Sequence, residues 1–180
     1  MTAPPLPNLY LVGFMGTGKS TVGRRVAPRL GFRFLDSDRE IERTAGRTVA
    51  RIFAEEGEAA FRARERCFIV SGHPRTGCVV ACGGGLVVPR GMIARLRRRG
   101  VVICLQAAPA TVLRRTVRGP HRPLLGTGGR GARVRELLAA REKIYRAVGP
   151  GVRTDGRPVR EVVAQVLRIY WRKAKIWEPA

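Results

Sequence analysis

The most constraining feature of the chain is a glycine-rich loop that directly follows its first apolar run, residues 9–13. Residues 13–20 read Gly-Phe-Met-Gly-Thr-Gly-Lys-Ser, which fits G-x-x-x-x-G-K-[ST] and leads into a helical pattern. Glycines let backbone N–H groups surround phosphate oxygens at the start of a helix, where anions are favoured. Lys19 adds a positive charge for the β- and γ-phosphates, and the Ser20 hydroxyl suits Mg²⁺. We therefore predict a nucleoside-triphosphate site rather than an ordinary glycine-rich turn.

Apolar runs alternate along the chain with segments of helical periodicity, which predicts an α/β fold with a parallel sheet. The candidate strands cover residues 9–13, 32–35, 79–81, 101–105 and a short run near Val152. The candidate helices cover residues 19–30, several pieces of 38–72, 89–99, 109–118, 131–148 and 158–172. Residues 119–131 contain five glycines and two prolines, and we expect a mobile loop there, within one domain that spans residues 1–180.

The formal net charge of +22 comes from 35 basic residues, of which 31 are arginines, against 13 acidic residues. The arginines are scattered along the chain, which favours compositional bias together with attraction of anionic substrates over dedicated nucleic-acid binding. No apolar run reaches the roughly 18 residues that a membrane helix needs. The first eight residues do not resemble a signal or transit peptide. We expect a monomer that does not bind membranes.

The four cysteines do not form a C-x-x-C pair, and the chain has only two histidines, which makes a zinc site improbable. Three of the cysteines lie within apolar runs, as is typical of reduced, buried thiols. Cysteine usage therefore predicts a cytoplasmic protein.

Two carboxylates follow the second candidate strand, where residues 34–38 read Phe-Leu-Asp-Ser-Asp. If the strand continues through them, Asp36 and Asp38 share a face at the carboxyl edge of the sheet, where open α/β sheets bind ligands. One carboxylate can then serve a metal ion, while the other accepts a proton from a hydroxyl substrate. A simple helix N-cap is the alternative, and the neighbouring phosphate loop favours the functional interpretation.

Three later motifs carry further candidate groups. Glu65 lies three residues after Arg62 on one helical face and can orient the Arg62 guanidinium toward an anion. The alternative is a solvated surface pair, which is the usual state of such residues. Gly83, Gly84 and Gly85 end an apolar run and permit close approach of a ligand, or else form only a tight turn. In the flexible segment, Arg122 can neutralise transition-state charge when a lid closes over the phosphates.

These motifs, in this order and at these spacings, resemble shikimate kinases over about residues 9–167. The motifs that narrow the resemblance are Leu-Asp-Ser-Asp, Gly-Glu-x-x-Phe-Arg, Gly-Gly-Gly, Arg-Pro-Leu-Leu and Arg-x-x-x-Tyr, since the phosphate loop alone indicates only a P-loop NTPase. The resemblance implies the nucleoside monophosphate kinase fold, with a five-stranded parallel sheet of order 2-3-1-4-5 between helices. It also implies a lid at about residues 114–131 and acceptor-binding helices at about residues 36–72.

The resemblance implies ATP-dependent, Mg²⁺-dependent phosphorylation of the 3-hydroxyl of shikimate, a step of aromatic amino-acid biosynthesis. The implied catalytic residues are Lys19, Asp38 and Arg122. The implied ATP contacts are Gly16, Thr17, Gly18, Lys19, Ser20, Thr21, Arg115 and Arg157, with Ser20 and Asp36 on the metal side. The implied shikimate contacts are Asp38, Arg62, Gly83, Gly84, Gly85 and Arg141. The alternatives are another P-loop small-molecule kinase, of the gluconate or nucleotide type, and an ATP-binding nucleic-acid protein.

Overall fold

The computed structural model describes residues 6–116, 130–149 and 151–177, and it contains a five-stranded sheet of order β2-β3-β1-β4-β5. The strands are β1 (Asn8–Val12), β2 (Arg33–Asp36), β3 (Cys78–Ala81), β4 (Gly100–Gln106) and β5 (Gly151–Arg153). Every neighbouring pair of these strands runs parallel. The predicted sheet order and the five predicted strands are confirmed, with small differences at their ends.

Seven helices connect and flank these strands in the described part of the chain. They are α1 (Lys19–Leu30), α2 (Ser37–Ala45), α3 (Val49–Ser71), α4 (Met92–Arg99), α5 (Pro109–Thr116), α6 (Arg130–Val148) and α7 (Val159–Ala174). The prediction that a helix opens at Pro89 is wrong, because Gly91 adopts a left-handed conformation at φ 83° and α4 begins only at Met92. Within α3, Gly57 has φ 80° and ψ 173°, which divides the helix at a kink.

The core consists of two layers, one on each face of the sheet. All five residues of β1 are buried, and its side chains alternate between the layers. Leu9 and Leu11 pack with apolar side chains of α1 and α7, whereas Tyr10 and Val12 pack with those of α3, α4 and α6. This central strand therefore ends, at Val12, in the middle of a sheet that is covered on both sides.

Arg122 and most of the expected lid lie outside the described residues, between the end of α5 and the start of α6. Cys78, Cys82 and Cys104 are buried and Cys67 is exposed, and all four thiols are free. Of the helices in the described ranges, none has the length and apolar character needed to cross a bilayer.

Candidate active site

The phosphate loop joins the end of β1 to the start of α1, and hydrogen bonds from its own side chains to its backbone carbonyls stabilise it. Gly16 and Gly18 adopt left-handed conformations, with φ 75° and φ 90°, which side chains other than glycine rarely adopt. The Thr17 hydroxyl donates to the Phe14 carbonyl at 2.7 Å. The Lys19 ammonium donates to the Gly13 carbonyl at 2.8 Å and to the Phe14 carbonyl at 2.9 Å. The lysine therefore lies over the loop, with its charge at the place where phosphates would bind.

Ser20 and Asp36 meet beside this loop. The Ser20 hydroxyl, in the first turn of α1, donates to Asp36 Oδ2 at the end of β2 over 2.7 Å. A hydroxyl and a carboxylate are oxygen ligands of the kind that Mg²⁺ takes, usually with waters and substrate phosphates completing its shell. The pair therefore fits the expected metal side of the site. Thr21, the next residue, is exposed on α1.

The expected arrangement of Asp36 and Asp38 on one strand is wrong, because β2 ends at Asp36 and α2 begins at Ser37. The Ser37 hydroxyl accepts a hydrogen bond from the Gly83 backbone N–H at 2.8 Å, which fixes the strand-to-helix turn against the end of β3. Asp36 stands at the N-cap of α2 but makes no capping bond with its side chain, which bonds to Ser20 instead. The turn still places both carboxylates at the carboxyl edge of the sheet.

Asp38 lies half-buried in the first turn of α2. Its burial raises the pKa of the carboxyl, the negative charge of Asp36 raises it further, and Lys19 opposes both effects. A carboxylate with a raised pKa is better able to accept a proton from a hydroxyl group than an ordinary exposed aspartate is.

Arg62 and Glu65 form the predicted pair on α3, and they are buried rather than solvated. Arg62 Nη1 lies 2.6 Å from Glu65 Oε2, and Arg62 Nη2 lies 2.7 Å from Glu58 Oε1. The Arg62 side chain is 11% exposed and the Glu65 side chain 1% exposed. Burial raises the pKa of Glu65 to about 7, although Arg62 lowers it. Glu65 Oε1 is buried without a hydrogen-bond partner among the residues described.

The three glycines after β3 leave space for these side chains. A Cβ atom on Gly83 would collide with Asp38 Oδ1, and one on Gly85 would lie 2.5 Å from Arg62 Nη2. On Gly84 it would lie 3.3 Å from the Met15 backbone nitrogen in the phosphate loop. A side chain at Gly83 or Gly85 would therefore have to displace Asp38 or Arg62, a constraint that a tight turn alone would not impose.

Arg141 and Tyr145 lie one turn apart on the inner face of α6. Arg141 is 8% exposed, and its Nη1 atom is buried with no hydrogen-bond partner in the described ranges. The Tyr145 hydroxyl donates to the Gly84 carbonyl at 2.5 Å, which ties α6 to the glycine turn. Sequence reasoning did not assign Tyr145 a site role, although the i, i+4 spacing of Arg-x-x-x-Tyr placed it on the same face as Arg141.

The structure brings all the expected acceptor-side residues to one cavity of about 110 Å³. Met15 of the phosphate loop also lines it, together with apolar side chains of α3. We call this cavity the acceptor pocket. Its charged and glycine residues are Asp38, Arg62, Glu65, Gly83, Gly84, Gly85 and Arg141.

The two arginines among the expected ATP contacts, Arg115 and Arg157, differ in their own contacts. Arg115 Nη1 donates to the Gly16 carbonyl at 3.2 Å and to Thr154 Oγ1 at 3.0 Å, so it connects the phosphate loop to the segment after β5. Arg157 instead bonds to Gln165 and lies 3.7 Å from Glu161, both on α7. Among the described residues, no hydrogen bond or ion pair connects Arg157 with the phosphate loop.

Comparison with known proteins identifies a family that matches most of this chain. The family model for shikimate kinase matches residues 15–170. The shikimate kinase of Ralstonia nicotianae is 47% identical over 89% of this chain and 85% of its own length. The shikimate kinase of Caldanaerobacter subterraneus subsp. tengcongensis is 40% identical over 92% of this chain and 96% of its own.

A solved structure agrees with these relatives. The shikimate kinase of Acinetobacter baumannii, in complex with shikimate, superposes with a TM-score of 0.87 at 40% identity. The match covers 93% of this chain and 94% of that one. The phosphate loop, the parallel sheet and these likenesses over nearly the whole length agree, and the chain belongs to the shikimate kinase family.

Proposed function

We propose that this chain transfers the γ-phosphoryl group of ATP to the 3-hydroxyl of shikimate, giving shikimate 3-phosphate for aromatic amino-acid (chorismate) biosynthesis. Membership of the shikimate kinase family supports this activity, and the similar Acinetobacter baumannii enzyme was solved with shikimate bound. The proposal assigns the nucleotide to the phosphate loop and the carboxylic acid to the acceptor pocket beside it.

The observation that carries the proposal is the buried, unpartnered Nη1 atom of Arg141 in the acceptor pocket. A buried guanidinium nitrogen without an acceptor is costly, and a substrate carboxylate would provide one. Arg62 lines the same pocket, and Glu65 and Glu58 hold its planar group in a fixed orientation. Two arginines therefore flank a space that suits a small carboxylic acid. Each arginine can make a charge-assisted hydrogen bond to the same carboxylate.

Asp38 serves the acceptor hydroxyl in this proposal. Its raised pKa suits a group that orients the attacking hydroxyl and accepts its proton at a carboxylate oxygen. The glycines at positions 83–85 allow the substrate ring to approach the backbone closely, because a side chain at Gly83 or Gly85 would displace Asp38 or Arg62. Phosphoryl transfer proceeds through a loose transition state, so most of the rate enhancement comes from this positioning and from charge neutralisation.

The nucleotide side holds the phosphates with backbone N–H groups of residues 16–21 and with the Lys19 ammonium. Arg115, which is also an expected ATP contact, stabilises the loop through its hydrogen bond to the Gly16 carbonyl. Ser20 and Asp36 would hold Mg²⁺, which, when bound, neutralises charge on the phosphate oxygens. Arg157 is also proposed as an ATP contact, and its bonds to Gln165 and Glu161 would have to rearrange when the nucleotide binds.

The proposal also covers the location, the oligomeric state and the nucleic-acid binding of the enzyme. We propose a cytoplasmic, monomeric enzyme without dedicated nucleic-acid binding, in which the basic surface attracts anionic substrates. Light scattering tests the monomeric state, and a salt-dependent DNA-binding assay tests the absence of nucleic-acid binding. The mass of a dimer would contradict the first, and binding of DNA at physiological salt would contradict the second.

A coupled assay of ADP release tests the proposed activity. We expect turnover with shikimate that exceeds turnover with gluconate or with any nucleoside monophosphate by at least a hundredfold. Lys19→Ala is the control for contaminating kinases, because it removes the phosphate-loop charge from the same preparation. Equal or faster turnover of gluconate or a nucleotide would assign the chain to another small-molecule kinase activity.

A further inference from the structure

A second cavity, of about 460 Å³, lies between α6 and the carboxyl end of β4. It shares no lining residue with the acceptor pocket, and it meets the phosphate loop at Phe14 and at the buried Thr17. Its volume is within the range of about 300 to 1,000 Å³ that is usual for small-molecule sites. None of the acceptor contacts proposed above lines this space, although Thr17 is also an expected ATP contact, and we call it the α6 cavity.

The wall of the α6 cavity is mainly apolar. Phe14, Leu105, Leu138 and Tyr145 line it, and the first three come from the phosphate loop, from β4 and from α6 respectively. Phe14 and Tyr145 are both buried aromatic residues. Aromatic side chains favour offset or edge-on packing with another ring, so this wall suits a flat, apolar body of one or two rings.

The charged residues of the lining are three arginines and two carboxylates. Arg146 lies 2.7 Å from Glu142, and Arg153 lies 3.6 Å from Asp155, so two of the arginines have a partner. Asp155 also accepts a hydrogen bond from the Ala108 backbone N–H at 2.7 Å. For the third arginine, Arg135, no carboxylate lies within ion-pair distance in the described part of the chain. The lining therefore carries one uncompensated positive charge.

We propose that the α6 cavity is a binding site for a small aromatic carboxylate, whose ring packs on the apolar wall and whose carboxylate meets Arg135. This site is separate from the proposed acceptor site, because its lining residues differ and its volume is about four times larger. The binding itself does not depend on the proposed function.

Tyr145 connects this cavity to the acceptor pocket. Its ring lines the α6 cavity, while its hydroxyl holds the Gly84 carbonyl, and Arg141 lies one turn earlier on the same helix. A ligand that fills the space under α6 would pack against the same helix that carries Arg141 and would stabilise it in the position described above. We therefore expect the ligand to increase shikimate affinity about threefold, and shikimate to increase ligand affinity by the same factor. This coupling, unlike the binding, rests on the proposed function.

Calorimetric titration with naphthalene-2-carboxylate tests the site, and the neutral naphthalene-2-carboxamide shows how much of the binding depends on charge. The matched variants are Ala139→Trp and Ala140→Trp, since both alanines are exposed on α6 but only Ala139 lines the cavity. We expect Ala139→Trp to weaken binding of the carboxylate at least tenfold and Ala140→Trp to change it less than twofold. Arg135→Gln, at an exposed position, should weaken binding of the carboxylate about fivefold and leave binding of the carboxamide unchanged.

Three results would overturn the proposed site. They are no binding to the wild-type protein at millimolar ligand, equal binding to the Ala139→Trp and Ala140→Trp variants, or loss of the bound ligand when ADP saturates the protein. Since none of these measurements needs turnover, they stay valid if the enzyme acts on an acceptor other than shikimate. An unchanged shikimate dissociation constant in the presence of the bound carboxylate would overturn the coupling.

Discussion

The phosphate loop and the acceptor pocket are neighbours, but they are built in opposite ways. The loop consists of eight consecutive residues, and its lysine already bonds to the carbonyls of Gly13 and Phe14. The acceptor pocket takes its charged groups from α2, α3 and α6, and two of its buried polar atoms, Arg141 Nη1 and Glu65 Oε1, have no hydrogen-bond partner within the described residues. The phosphate loop is therefore held by bonds among its own residues, whereas the acceptor pocket contains buried polar atoms that still lack a hydrogen-bond partner in the part of the chain that the structure describes.

This difference indicates where specificity arises. A loop formed by local backbone geometry binds the phosphates common to every nucleoside triphosphate. A pocket with an unpartnered buried guanidinium nitrogen favours a ligand that supplies the missing acceptor and disfavours one that does not. We therefore expect changes in the loop to affect the transfer step for any acceptor, and changes in the pocket to affect the acceptor alone.

The largest effect is expected for Lys19→Ala. The substitution removes the positive charge nearest the phosphates, and we expect kcat to fall about 10⁴-fold, a loss typical of removing one cation from phosphoryl-transfer sites. The melting temperature should change little, because Lys19 is half-buried and is not part of the apolar core. A variant that keeps wild-type turnover would show that the loop is not the nucleotide site.

Asp38→Asn should have the next largest effect, about 10³-fold on kcat, because it keeps the shape of the side chain but removes the proton acceptor. The ATP dissociation constant should stay within about twofold of wild type. If ATP binding weakens strongly while the acceptor still binds, Asp38 belongs to the metal side with Asp36, and the division between the two regions fails at this residue.

Arg62→Ala and Arg141→Ala should each raise the acceptor KM about ten- to a hundredfold, since charge-assisted hydrogen bonds contribute about 1.5 to 3 kcal/mol each. The KM for ATP should move less than about twofold. Arg62→Lys should restore only part of the affinity, because a point charge cannot replace the planar, forked group that Glu65 and Glu58 orient. Steady-state titration of each substrate, with the other at saturation, measures both constants.

The smallest effect concerns pH. The pKa of Glu65 is raised to about 7 by burial, and the carboxyl contacts Arg62 at 2.6 Å. Below pH 7 the protonated Glu65 leaves the Arg62 charge available to a substrate carboxylate, and above pH 7 the ionised form competes for it. The acceptor KM should therefore rise about two- to threefold from pH 6 to pH 8, while the KM for ATP stays flat. In Glu65→Gln the rise in acceptor KM with pH should disappear. If the rise persists in this variant, another group causes it.

The sequence predicted the loop and the strands well because both depend on local patterns, whereas the strand order came from the family resemblance. The eight-residue motif fixes its own conformation, and the five apolar runs identify the strands. The prediction for Asp38 failed in its geometry, because the alternation of side chains along a strand does not reveal where the strand ends. The Ser37 bond to the Gly83 backbone, 46 residues away, fixes the turn, and no local pattern predicts it.

The acceptor pocket was predicted only through family resemblance. Arg62 and Arg141 are 79 positions apart, and neither neighbourhood indicates that both side chains line one cavity. Likewise, spacing alone could not distinguish the buried Arg62–Glu65 pair from a solvated one, because burial depends on how α3 packs on the sheet. The role of Tyr145 was missed because its hydrogen-bond acceptor, the Gly84 carbonyl, comes from a distant turn.

The central claim is that Arg62 and Arg141 hold the same carboxylate, and a double-mutant cycle on the acceptor KM tests it most directly. Two arginines on one anion are coupled, so we expect the Arg62→Ala/Arg141→Ala double variant to raise the KM for shikimate at least fivefold less than the product of the two single effects. A KM equal to that product would mean that the arginines act independently. A wild-type KM in either single variant would show that this arginine does not hold the acceptor.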